Sequence, residues 1–281
     1  MNVVVVYNPK SGSALPASEI KQMFHDANIT ITELLDVTDS IEKKLEKYTA
    51  TKTIIAVVGG DGTISSVVQH IVGTPAILAP LPGGTLNHFT KDLGIDQDLT
   101  KAIAAVPTKR SKNIDVATVN DKVFINNSSI GMYPSSLHAR KRFEDKLGKW
   151  PAAVVAILRT IIQYRTYTVT IKDESYITPF VFVGNNKYEL ANAAERKRID
   201  MGLMCVYIIS ASKRLDLLKL LIQAVVGRID QHDNFTEYDV TSVTIASKKL
   251  SKMSVSRDGE VERMEMPLRY VLLSGKLSII A

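Results

Sequence analysis

Apolar and polar positions change rhythm partway along the chain. Up to about residue 125, short strand-like runs, most of them apolar, alternate with stretches of helical period. The runs are Val3–Tyr7, Thr30–Leu35, Thr53–Val58 and Ala76–Ala79. Between and after them, apolar residues recur every three or four positions over Ala17–Ala27, Ser40–Tyr48, Thr63–Ile71 and Asp98–Val106. Unbroken apolar runs suit strands buried on both faces, and the longer periodic stretches suit amphipathic helices. The alternation predicts an α/β unit with a mostly parallel sheet covered by helices on both faces. Ligands of such sheets bind beyond the carboxyl ends of the strands.

Beyond about residue 112 the period shortens to two. Asn113–Asn120 and Lys122–Ser128 read as strands around an Asn120-Asp121 turn. Alternation returns at Tyr167–Lys172, Pro179–Val183, Met204–Ile209, Val240–Ala246, Lys252–Ser256, Arg269–Leu273 and Lys276–Ile280. These predict an antiparallel second domain, a β-sandwich or half-barrel, interrupted by helices near Ala152–Tyr164 and Arg214–Arg228. The expected division is therefore 1–125 as an α/β domain and 126–281 as a β-rich domain, with the last strand able to return to the first domain.

Composition adds little to the fold and more to the setting. The chain has 281 residues, enough for one large or two modest domains, and is 45% apolar. Its single cysteine, Cys205, sits inside the apolar run Leu203–Ile209 and reads as an inert buried thiol. Without a disulfide framework, a reducing cytoplasm is expected. The opening Met-Asn-Val-Val-Val-Val reads as a first strand, not a leader peptide. Charge is uneven. Residues 1–125 hold 12 Lys/Arg against 13 Asp/Glu, a balance of −1, whereas residues 126–281 hold 23 against 16, a balance of +7. A basic half suits an anionic surface, although a solvated basic face has the same composition.

Three loops that would leave the carboxyl ends of the first-domain strands carry the candidate chemistry. Residues 57–63 read Val-Val-Gly-Gly-Asp-Gly-Thr. A glycine turn between a strand and a helix can cradle phosphate with backbone N–H groups. Asp61 would repel that phosphate unless it binds Mg²⁺, orders a loop or takes a proton. It could equally cap the following helix. Asn8–Ser13 offers Asn8, Lys10, Ser11 and Gly12 as donors, charge and clearance, without the spacing of a Walker A loop. Pro80–Phe89 offers Gly83, Gly84, Thr85 and Asn87. Each loop alone is also a capped turn.

Taken together, Asn-Pro-Lys-Ser-Gly, Gly-Gly-Asp-Gly-Thr and Pro-Gly-Gly-Thr-Leu-Asn resemble the diacylglycerol kinase/sphingosine kinase catalytic-domain family. So do Arg198-Ile199-Asp200-Met201-Gly202-Leu203 and, near the end, Asp258-Gly259-Glu260. The resemblance implies a nucleotide-binding α/β domain followed by a β-sandwich, related to NAD kinase in fold, with ATP between them. It implies transfer of the γ-phosphate of ATP–Mg²⁺ to a hydroxyl of a diacylglycerol-like or sphingoid lipid. Asn8, Lys10, Ser11, Gly12, Gly59, Gly60, Gly62, Thr63, Gly83, Gly84, Thr85 and Asn87 would then surround the nucleotide. Asp61 would order the metal-nucleotide site, Asp258 would accept the hydroxyl proton, and Glu260 would hold metal or water. Asp200 would be a candidate for a structural ion. Phosphoryl transfer asks for positioning and charge neutralisation, and its hydroxyl nucleophile for a carboxylate.

Three places depart from the family pattern: His88 where many lipid kinases carry aspartate, Ser65-Ser66 where Asn-Glu is common, and Lys187-Tyr188 after Asn185-Asn186. His88 and Ser65-Ser66 keep a second class in view, a non-catalytic lipid- or nucleotide-binding regulator. A NAD kinase-like enzyme with a soluble acceptor is the third reading. Within His138–Arg165, Arg140, Lys141, Arg142, Lys146 and Lys149 precede Trp150 and an apolar helix pattern. Basic residues beside tryptophan suit docking on an anionic leaflet, hence a cytoplasmic protein peripheral to the inner membrane. Packing of that helix against the second domain would use the same pattern. Nucleic acid is not expected, since aromatics are not interleaved among the basic residues. The oligomeric state stays open, a homodimer included.

Overall fold

The structure, a computed structural model, describes residues 1–9, 15–38, 40–131, 166–188, 196, 198–210 and 235–281. The predicted helices Ala152–Tyr164 and Arg214–Arg228 lie outside these residues.

The first half alternates as its pattern predicts. Strands β1 (Asn2–Tyr7), β2 (Thr30–Asp36), β3 (Ile54–Gly59) and β4 (Ile77–Pro82) lie in the order β2-β1-β3-β4, all parallel. The valine run of β1 is buried on both faces because helices cover both. Val4 and Val6 face α2 (Ile41–Thr49) and α3 (Asp61–Ile71), with Leu45, Ile64 and Val68 in the same core. Val3 and Val5 face α1 (Ala17–Asp26) and α5 (Leu99–Ala105), with Phe24 and Ile103. Between β4 and α5 lies the short α4 (His88–Asp92).

The second half is antiparallel. β5 (Ser111–Val119) and β6 (Lys122–Phe124) extend the first sheet. A second sheet runs in the order β12-β11-β10-β7-β14-β15. Its strands are β7 (Asn127–Gly131), β10 (Phe180–Asn185), β11 (Met204–Ile209), β12 (Phe235–Val240), β14 (Lys252–Arg257) and β15 (Glu260–Glu265). A hairpin of β8 (Tyr167–Ile171) and β9 (Glu174–Thr178) forms its own two-stranded ladder, which Thr170 joins through an antiparallel bridge to Ala246. The second core lies between this sheet and the far ends of first-sheet strands: Val183, Val206 and Val255 meet Ala117, Val119 and Tyr270.

Three strand expectations need correction. Lys122–Ser128, expected as one strand, is β6 of the first sheet followed by the start of β7 in the second. Arg269–Leu273 and Lys276–Ile280 are not two strands but one, β16 (Leu268–Ile280). Its register against β5 shifts between Leu273 and Leu277, where Gly275 has φ +61°. Buried Asp115 holds that irregularity in the ladder by accepting from Ser274 Oγ and Gly275 N, both at 2.9 Å. Val240–Ala246, expected as one strand, is two. Val240 ends β12 against Met204 of the second sheet, and Ser242 begins β13 (Ser242–Ile245) against β16 of the first. Strand β15, Glu-Val-Glu-Arg-Met-Glu, was not expected at all. It is an edge strand whose charged residues face outward, so its apolar signal is slight. β16 also pairs in parallel with β4, Ser278 opposite Ile77, so β16 lies inside the first sheet, between β4 and β5.

Candidate active site

The loops after β1, β3 and β4 meet as the topology requires. Asn8 Nδ2 donates to Thr63 Oγ1 at 3.3 Å, joining the first loop to the second. Lys10, Ser11 and Gly12 lie outside the described residues. The second and third loops pack backbone against backbone. Gly83 N donates to Gly59 O at 3.1 Å. A Cβ on Gly84 would stand 2.4 Å from Gly60 Cα, and one on Gly83 would stand 2.7 Å from Gly59 N. At least part of the glycine content therefore serves contact between the loops. Gly84 N donates to Asn87 Oδ1 at 2.9 Å, and Asn87 takes a left-handed conformation, φ +52°.

Asp61 does not cap its own helix. Gly60 is the N-cap of α3, and Asp61 is the first helical residue. Its carboxylate reaches α4 instead, accepting from His88 N at 3.1 Å and Phe89 N at 2.8 Å. Of the roles open to Asp61, ordering a loop is the one its hydrogen bonds perform. The His88 side chain is exposed while its backbone is held.

From the second domain, the β14–β15 hairpin arrives over these loops. Asp258 and Gly259 form its two-residue turn with φ +47° and +87°, the pairing a type I′ turn needs. Asp258 Oδ2 accepts from Ile125 N at 2.9 Å, and Oδ1 from Asn126 N at 2.8 Å and Asn127 N at 3.2 Å. The Ser65 hydroxyl, on α3, is a further partner. Burial raises the Asp258 carboxyl above the ordinary aspartate range, and these donors oppose it without cancelling it. Glu260 Oε1 lies 3.0 Å from where a Gly62 Cβ would be, so a side chain at Gly62 would require the carboxylate to give way by a few tenths of an ångström.

Two clefts flank Glu260. One, of about 370 Å³, is lined by Asn8, Gly60, Thr63, Gly84 and Thr85. The other, of about 170 Å³, is lined by Ser65, Gln69, His70, Lys122, Arg257 and Asp258. Gly62, Ser66 and Glu260 line both. The predicted phosphate-loop residues thus line one side of a single carboxylate, and the predicted base lines the other. A larger hollow of about 650 Å³ lies along the outer edge of β2 beside α1 and contains none of the motif residues.

Asp200 stands away from this constellation, in an exposed pair with Arg198 at 3.1 Å. Arg140, Lys141, Arg142, Lys146, Lys149 and Trp150 lie outside the described residues. Among the described residues, no three His, Cys, Asp or Glu side chains gather as a metal cage, and no helix is long and apolar enough to cross a membrane.

Sequence reading missed a buried polar group behind the site. The Arg196 side chain is wholly buried, with Nε donating to Asp92 Oδ2 at 2.7 Å, Nη1 to Ile125 O at 2.8 Å, and Nη2 to Asn126 Oδ1 at 2.6 Å. Asn185 is buried beside it, donating to Asp115 O and Ile125 O. Nothing in the local pattern marks Arg196, which is one basic residue in the charged run Glu195–Arg198.

Comparison with known proteins bears on the family and the fold. The family model of the diacylglycerol kinase catalytic domain matches residues 2–119. That of the YegS C-terminal NAD kinase beta sandwich-like domain matches residues 137–281. A Streptococcus pneumoniae protein named "Putative lipid kinase" is 26% identical, over 99% of this chain and 97% of its own. A Staphylococcus aureus "Diacylglycerol kinase" is 22% identical, over 99% and 91%. A solved structure, "A putative diacylglycerol kinase from Bacillus anthracis str. Sterne", superposes with TM-score 0.75 at 22% identity, covering 99% of this chain and 96% of that one. At that identity the superposition speaks to the fold.

Proposed function

We infer the function from a premise the comparisons establish: the chain belongs to the diacylglycerol kinase catalytic-domain family, with the YegS-type sandwich as its second domain. On that premise we propose an ATP-dependent lipid kinase that moves the γ-phosphate onto a hydroxyl of a diacylglycerol-like or sphingoid lipid. One observation carries the reading. Glu260 separates a cleft of glycine loops from a cleft that holds Asp258, an arrangement suited to a donor phosphate on one side and an acceptor hydroxyl on the other.

The roles follow from placement. Asn8, Gly60, Thr63, Gly84 and Thr85 would hold the nucleotide phosphates. Asp258, with its carboxyl raised by burial, would take the hydroxyl proton as the oxygen attacks phosphorus. Asp61 would act through α4, setting the third loop. A magnesium ion arriving with the nucleotide would neutralise charge on the transferring group. Such ions need only one or two protein carboxylates besides phosphate and water. Glu260 fits that need, whereas the oxygens of Asp61 and Asp258 already accept backbone N–H groups. Access to lipid would come from the basic stretch Arg140–Lys149 with Trp150, placing a cytoplasmic enzyme on an anionic inner leaflet.

The test is transfer of radiolabel from [γ-³²P]ATP into a total bacterial lipid extract, with NAD⁺ as a parallel acceptor, for wild type and Glu260→Gln. A labelled lipid lost by at least 100-fold in the variant, with ATP binding retained, is the expected result. Label on NAD⁺ alone would replace the lipid acceptor with a soluble one. Binding of ATP with no transfer to either would make the protein a regulator.

A further inference from the structure

Asp61 and Asp258 are joined by one continuous line of bonds. Asp61 grips the first residues of α4 through His88 N and Phe89 N. The last residue of that five-residue helix is Asp92, which accepts from Arg196 Nε at 2.7 Å. Arg196 then reaches across to the second domain, where Nη2 donates to Asn126 Oδ1 at 2.6 Å and Nη1 to Ile125 O at 2.8 Å. The backbone N–H groups of these same two residues hold the Asp258 carboxylate. Nη1 also donates to Asn185 O at 3.1 Å, at the end of β10.

We propose that Arg196 is a positioning residue that locks the Asp258 side of the site to the Asp61 side through α4. It rests on the reading of Asp258 as the group that meets the acceptor.

Three features separate this from a generic buried ion pair. The acceptors of Arg196 belong to three chain segments, α4, the β6–β7 connection and the end of β10. Asn126 has its other groups engaged as well: its carbonyl accepts from Tyr188 Oη at 3.0 Å and from Asn185 N at 2.9 Å. A displacement of Arg196 is therefore felt at the Asn126 N–H, and through it at Asp258. The guanidinium also lies over the buried Tyr188 ring, 5.5 Å from its centroid, which fixes the plane of the fork. A buried ion pair is not an economical route to stability, since apolar side chains of like volume serve as well or better. Its forked, directional bonding is what an apolar pair cannot supply.

The experiment uses the full chain with two variants, Arg196→Met combined with Asp92→Leu, and Arg196→Lys. The double variant removes both charges and keeps the volume filled; Lys keeps the charge and loses the fork. Amide hydrogen exchange is followed at Ile125, Asn126 and Asn127, with β1 and β3 amides as internal references. Kinetics then separate KM for ATP from kcat for transfer. Expected for the double variant is a cooperative melt with exchange at Ile125–Asn127 at least tenfold faster and the references unchanged. KM for ATP should stay within twofold and kcat should fall at least tenfold, with Arg196→Lys intermediate in both. Unchanged exchange or wild-type kcat in the double variant overturns the proposal. If the double variant does not fold, Arg196→Lys decides by the same two readouts. If wild type labels no lipid, the kinase reading fails on its own, and the exchange result still decides the role of Arg196.

Discussion

At the scale of single residues, the site depends on carboxylates used for different ends. Asp61 spends both oxygens on the N-terminus of α4. Asparagine there keeps one acceptor and turns an amide against the other backbone donor. We predict that Asp61→Asn loses about 1–3 kcal/mol of stability, read as a lower Tm, and weakens ATP binding. Asp258 accepts three backbone N–H groups, yet burial still raises its carboxyl. Only the ionised form can receive a proton, so turnover should fall as pH drops through the folded-state value. A kcat–pH profile should place that acid limb above the ~4 of a free aspartate. The sign for stability is opposite. A carboxyl raised on folding favours the folded state below its unfolded value, and that contribution is lost as pH rises through the raised value. Asp258→Asn is no silent probe, because its amide would face a backbone donor. Its Tm has to be measured beside its activity.

At the scale of elements, backbone contact and a buried carboxylate decide the geometry. Gly59-Gly60 and Gly83-Gly84 approach closely enough that a single Cβ at Gly84 would overlap Gly60. Gly84→Ala should cost about 1–3 kcal/mol and part the second and third loops. A lower Tm with weaker ATP binding would show it, and wild-type affinity for ATP would contradict it. β16 depends on Asp115, which accepts from Gly202 N, Ser274 Oγ and Gly275 N. Asp115→Ala leaves those donors unmet at the point where the strand passes from one core to the other. A loss on the order of 3 kcal/mol in denaturant unfolding is expected. The elements themselves were legible where period and length agreed: the four parallel strands and the four expected helices of the first half lie within three residues of their patterns. Failures came where the pattern was diluted. β15 is an outward-charged edge, and the polar Ser274-Gly275 divides the pattern of one strand into two, because Asp115, which holds it in the ladder, is 159 residues away from Ser274 in sequence.

At the scale of the molecule, β16 belongs to both cores, with Leu277 and Ile279 in the first and Leu268 and Tyr270 in the second. The two halves should therefore melt together, as one calorimetric transition whose van't Hoff and measured enthalpies agree. Two separated transitions would show that the shared strand does not couple them. The basic excess of residues 126–281 makes a further expectation: sedimentation with anionic vesicles but not neutral ones, weakening with salt. Equal sedimentation with both would remove the electrostatic component. By itself, the sequence determined the alternating α/β first half, the change to an antiparallel second half and the identity of the glycine loops and the Asp258–Glu260 turn. All of these are local: period, turn chemistry and residue type are written within a few positions. Only the tertiary structure decided that Asp61 serves α4 rather than its own helix, that Glu260 stands against Gly62, that one strand runs through both cores, and that Arg196 ties Asp92 to Asn126. Each of these joins residues far apart in the chain, and a partner's identity across such a separation leaves no mark in local hydrophobic pattern, because burial and hydrogen bonding are settled by the packing of whole elements.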